Sequence, residues 1–121
     1  MKIREEYTCP LEIVHDIIKG KWKTIIVFQL KNGNLSLAQL ERNIAGITQK
    51  MLLQHLNELK YWGIVNKTKS ENYPLHVEYY LTDRGQKMLQ AILTMQEIGI
   101  DYMVEHGQTD FLDNKGIKYR K

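Results

Sequence analysis

One cysteine, Cys9, stands in the 121-residue chain, so no disulfide can close within it. That excludes the small secreted domains that rely on such staples. No apolar run approaches the ~20 residues a membrane-spanning helix needs. The N-terminus, MKIREEYTCP, lacks the apolar stretch of a secretory signal. A cytoplasmic protein with no membrane partner is the expectation. The four histidines, His15, His55, His76 and His106, lie far apart in the sequence, without metal-ligand spacing. There is no glycine-rich phosphate loop and no nucleophile elbow. Cys9 with a distant histidine would be a thiol catalyst without local support. The expectation is no enzyme, no cofactor and no metal.

Acidic residues are scarce in one place. Residues 19–69 hold nine basic residues (Lys19, Lys21, Lys23, Lys31, Arg42, Lys50, Lys60, Lys67 and Lys69) against Glu41 and Glu58, a net of +7. The remainder nets −4, so the overall +3 conceals a concentrated positive field. Basic side chains neutralise phosphates and release counterions, the main source of non-specific nucleic-acid affinity. A basic run is often no more than a solvated face. This one coincides with a motif.

The motif is LSLAQLERNIAGITQKMLLQHLNELKYWG, residues 35–63. Ser36 and Gln39 have capping-box spacing, with Leu35 and Leu40 placed as a hydrophobic staple. Thr48 is a second N-cap, with Ile47 and Leu52 as its staple. Gly46 supplies the bend between the two helices. Two short helices about a glycine-containing turn form a helix-turn-helix, whose second helix enters a DNA major groove. On that helix Leu52, Leu56 and Leu59 make a core stripe. Lys50, Gln54, Asn57 and Tyr61 lie opposite, with Leu53 on a flank. Gln and Asn can pair with adenine, Lys can reach guanine acceptors, and an apolar group can touch a thymine methyl. Any surface helix could also show these residue types. Glu58 falls on the exposed side, where it would repel phosphate, so the half from Gln49 to Asn57 is expected in the groove. His55 lies at the core edge and reads as a packed histidine.

Pro10 to about Lys19 predicts a first helix with Cys9 as N-cap and Pro10 at N1. Residues 21–31 predict a second, with Trp22, Ile25, Ile26 and Leu30 inward. After Gly63, residues 64–69 and 76–81 alternate as strands, joined by a loop of about six residues. A hairpin behind a recognition helix is the wing of a winged helix. Lys67, Lys69 and His76 could touch backbone or minor groove; the lysines equally suit edge-strand protection. Thr82 and Asp83 start a last helix running to about His106. Its apolar residues fill more than one stripe, which points to a second copy as partner. Residues 1–106 read as one domain, mainly α with a small β-hairpin, and residues 107–121 as a loosely ordered tail, on which Phe111 and Leu112 could dock.

The order of motifs resembles the HxlR-type transcriptional regulators, winged-helix proteins akin to the MarR group. The matching pieces are CPLEIVHDIIKGKWKTIIVFQL, ITQKMLLQHLNELKYWGIV and PLHVEYYLTDRG, which together span about residues 9 to 103. The resemblance implies a cytoplasmic homodimer, built by the first and last helices, that binds double-stranded operator DNA and regulates transcription. Candidate DNA contacts are Ser36, Thr48, Gln49, Lys50, Leu53, Gln54, Asn57, Lys67, Lys69 and His76. Several members of the family are similar in using an N-terminal cysteine as a redox or electrophile sensor, which makes Cys9 a candidate sensor and an oxidant or small molecule a candidate effector. A thiol at a helix N-terminus faces the positive end of the dipole, which favours its ionised form. A buried, inert cysteine is the alternative. For the chain as a whole, the alternative is a winged helix that binds another protein and no specific DNA.

Overall fold

The computed structural model describes residues 4–72 and 74–119. Two compact units are present, Met1–Leu89 and Gln90–Lys121. In the first, α1 (Pro10–Ile17) begins behind an extended Cys9 at φ −155° and ψ 139°. The Cys9 carbonyl accepts from Glu12 N at 3.0 Å, and Pro10 fills the position where a missing donor costs nothing. The helix stops at Ile17, because Ile18 has left helical geometry. The second expected helix is shorter than predicted. It comprises α2 (Lys23–Gln29) and a 3-10 turn, Leu30–Asn32. Ile26, Val27 and Leu30 are buried, whereas Trp22 and Ile25 are half-buried. The β-branched run is helical because that periodicity buries Ile26 and Leu30 together.

The paired caps form as the spacing demands. Ser36 Oγ accepts from Gln39 N at 3.2 Å, and Gln39 Oε1 accepts from Ser36 N at 2.8 Å. This box starts α3 (Leu37–Asn43). Thr48 Oγ1 accepts from Met51 N at 3.2 Å and starts α4 (Gln49–Tyr61). Between the helices Gly46 takes φ +89°, a conformation that L side chains rarely adopt. Leu40, Leu52, Leu56 and Leu59 have no exposed surface. Each such side chain contributes about 1.5–3 kcal/mol over an exposed one.

The sheet holds one strand more than the predicted hairpin. β2 (Val65–Lys69) and β3 (Val77–Leu81) pair antiparallel, and β1 (Leu35–Ser36) pairs with the far edge of β3. The order is therefore β1-β3-β2, with Leu35 opposite Tyr79 and Ser36 opposite Glu78. The helix-turn-helix and the wing thus share a sheet.

The last long helix, α5, runs Asp83–Glu105. At its start Thr82 Oγ1 accepts from Gly85 N at 3.1 Å. The same hydroxyl lies within hydrogen-bond distance of the carbonyls of Gly63 and Ile64, and its proton can serve one of them. Arg84 Nη1 donates to Trp62 O at 2.9 Å, satisfying a free carbonyl at the end of α4. Gly85 lies so close to the chain that a Cβ there would fall 2.1 Å from Ile64 O. Only glycine allows this helix start to meet the end of α4. In the second unit, α6 (Thr109–Asn114) follows α5, with Leu112 buried and Phe111 exposed. No helix among the described residues is long and apolar enough to cross a membrane.

Candidate nucleic-acid interface

The outer face of α4 is open among the described residues. Gln49, Lys50, Gln54, Asn57, Lys60 and Tyr61 are all exposed, while Leu53 is half-buried on the flank. Lys50, Gln54, Asn57 and Tyr61 fall at i, i+4, i+7 and i+11, one continuous stripe. Its floor is the buried leucine set, which leaves these side chains no route inward. The helix can therefore present two amides and a cation to a groove without rearrangement. Thr48 and Ser36 stand at the helix starts with their oxygens engaged by backbone donors. Each hydroxyl can still donate its own proton.

The wing carries the second set. Asn66, Lys67, Thr68 and Lys69 are exposed along β2. Lys67 faces Tyr79 and Lys69 faces Val77 across the ladder, so both lysines lie on the face that holds the buried Val65 and Tyr79. Both stand on β2, an edge strand of the sheet, and are exposed. His76 Nε2 lies 3.0 Å from Glu78 Oε2, an exposed contact.

Two side chains depart from the expectation. Glu58 does not join the exposed face. Its carboxylate is half-buried, with Oε1 3.5 Å from Lys23 Nζ. Lys23 in turn is buried, at 4% exposure, and leaves the solvent-facing basic set. The remaining eight cations of residues 19–69 are exposed. His55 is packed as predicted. Its Nδ1 is buried without a hydrogen-bond partner and lies 3.9 Å from Glu58 Oε1. Burial, then the nearby Lys23 charge, push its pKa below the usual 6.5, against a smaller upward pull from Glu58. Cys9 is exposed at the start of α1, and its side chain makes no capping bond.

A recognition helix with paired caps and a hairpin wing on a shared sheet defines the winged helix-turn-helix class. The chain belongs to the HxlR-like helix-turn-helix family, whose model matches residues 17–107. An uncharacterised HTH-type transcriptional regulator of Methanothermobacter thermautotrophicus is 36% identical over 98 residues, covering 81% of this chain and 75% of that one. Among solved structures, the redox regulator HypR in its reduced form superposes with a TM-score of 0.75 at 33% identity, covering 84% of this chain and 99% of that one. Its oxidised form gives a TM-score of 0.71 at 37% identity, covering 75% and 94%.

Proposed function

We propose that the protein is a sequence-specific DNA-binding transcriptional regulator that reads operator half-sites as a homodimer. In this reading α4 enters the major groove and the hairpin of β2 and β3 is the wing. The observation that carries it is the solvent-open stripe of Lys50, Gln54 and Asn57 above a fully buried leucine floor. Base contacts fall to that stripe with Gln49 and Leu53. Ser36, Thr48, Lys67, Lys69 and His76 hold the phosphate backbone. Residues 1–106 form the DNA-binding and dimerisation domain, and residues 107–121 a C-terminal tail, in a cytoplasmic protein that acts as a regulator and not as an enzyme.

Dimerisation through the helices at 10–19 and 83–106 is supported by the exposed stripe of Met95, Ile98 and Tyr102 on α5. Monomers seldom leave such a surface uncovered. Two copies would then present two recognition helices to half-sites about 34 Å apart. Cys9 is the point of redox control. Two thiols and one peroxide molecule would yield an intersubunit disulfide and two waters. With a small thiol as partner the product is a mixed disulfide. Support comes from its exposure and from the likeness to HypR, a named redox regulator.

The test is a duplex selected from random oligonucleotides, followed by gel shift against a scrambled duplex at several salt concentrations. Binding that discriminates between the two and falls steeply with salt is expected. Indifference to every duplex at low ionic strength would leave the protein-interaction module. For Cys9, a peroxide-dependent change in binding should vanish in Cys9→Ser.

A further inference from the structure

Lys23 is the buried cation among the described residues, and its place is costly twice over. It sits at the first position of α2, where the helix dipole disfavours positive charge, and it is withdrawn from water. Nothing in the local sequence requires a lysine there. Its partner is Glu58 of α4, at 3.5 Å. Among the described residues this is the one charged or hydrogen-bonded side-chain contact between α2 and α4. The other buried residues of these two helices are Ile26 and Val27 on one and Leu52, Leu56 and Leu59 on the other. The leucine stripe sets which face of α4 turns inward, but apolar contacts are non-directional and tolerate small rotations about the long axis. An ion pair between two named atoms resists them.

Glu58 stands four residues after Gln54 and three before Tyr61, so its Cβ borders the reading stripe. Left to itself, the carboxylate would turn outward into the face that meets phosphates. Lys23 draws it inward. His55 competes weakly at most: its Nδ1 lies 3.9 Å from the carboxylate and makes no hydrogen bond. We propose that Lys23 is a positioning residue for DNA reading: through Glu58 it sets the rotational register of α4 and keeps a negative charge off the groove-facing side. The role deepens the reading of α4 as the recognition helix and rests on it.

A structural role and a positioning role part company in one variant. Replacing a buried pair by apolar residues of similar volume often leaves stability unchanged or raised. The double variant Lys23→Met/Glu58→Leu should therefore melt near the wild type. Positioning predicts that its discrimination between the duplex selected by the wild-type protein and a scrambled duplex falls at least tenfold. The single variant Lys23→Met, which releases Glu58, should in addition bind both duplexes more weakly than the double variant does. A Leu30→Val variant, at a buried position outside the reading stripe, the wing and the dimer helices, serves as a control for mild destabilisation and should discriminate as the wild type does. Undiminished discrimination in the double variant overturns the proposal. So does a loss no greater than that of a control destabilised to the same degree. A wild type that itself fails to discriminate sinks the DNA-reading assignment first, and the register role with it; that outcome is visible in the wild-type arm alone.

Discussion

Gly85→Ala should be among the most damaging single-methyl additions this chain can receive. The new Cβ would fall 2.1 Å from Ile64 O, where ordinary contact begins near 3.4 Å. More than an ångström of backbone displacement is needed, and neither partner is a flexible side chain. Ile64 O accepts from Thr82 N at 3.0 Å and lies 3.1 Å from Thr82 Oγ1, so moving it loosens both contacts. The backbone hydrogen bond at about 1 kcal/mol, with about 1–3 kcal/mol of overpacking, gives a loss of about 2–4 kcal/mol. For a domain of this size that corresponds to a Tm lower by roughly 8–16 °C. The measurement is thermal unfolding followed by circular dichroism at one fixed protein concentration, because a dimer's Tm depends on it. Gly99 supplies the contrast on the same helix. Within the protomer a Cβ there meets nothing within 4 Å, and helix propensity favours alanine by up to about 1 kcal/mol, so Gly99→Ala should lower Tm far less than Gly85→Ala does, even though residue 99 shares the stripe of Met95 and Tyr102. If Gly85→Ala melted within a few degrees of the wild type, the close approach of α5 to Ile64 would not exist as described.

Gln54→Ala or Asn57→Ala should lower specific binding by about 1–3 kcal/mol and relax one base position, read by selection and gel shift; unchanged operator preference in both would mean that another face reads the bases. Lys67→Ala should weaken binding evenly across sequences and reduce the salt slope by about one. A loss confined to one sequence would contradict a phosphate contact. His55 makes stability depend on pH. Its folded pKa lies below the 6.5 of the unfolded chain, so its contribution is intact above pH 6.5 and is lost as pH falls from there towards the depressed value. His55→Phe should flatten Tm against pH in that window, and a slope identical to the wild type's would reject the assignment.

The features legible in the sequence are those decided by neighbours along it. Ser36 with Gln39, Thr48 with its own first turn, and the leucines at 52, 56 and 59 all interact within a few residues, so spacing alone places them. The exposed stripe of α4 follows from the same arithmetic. The missed features depend on distant partners. β1 has two residues, too few to show a period of two, and exists because β3 offers Leu35 and Ser36 an edge. The wheel angle alone sets Glu58 outside, because it carries no information on a lysine 35 positions upstream. The Lys23 position carried a faint signal: a cation at a helix start followed by a wholly apolar run, Ile25 to Phe28, with only Thr24 between. The roles of the wing lysines could not be separated, because exposure at a sheet edge suits both candidate duties.

The middle position of β3 has an evolutionary corollary. Both of its flanks are taken, one by β1 and the other by β2. Among the described residues of the seven-residue connection at positions 70–76, none has a ladder partner. A relative could lengthen, shorten or recharge that tip and leave every ladder partner in place. The scaffold thereby offers a graftable cassette, and on the proposed reading swapping tips between paralogues would retune how strongly the duplex backbone is held while leaving the helical reader untouched.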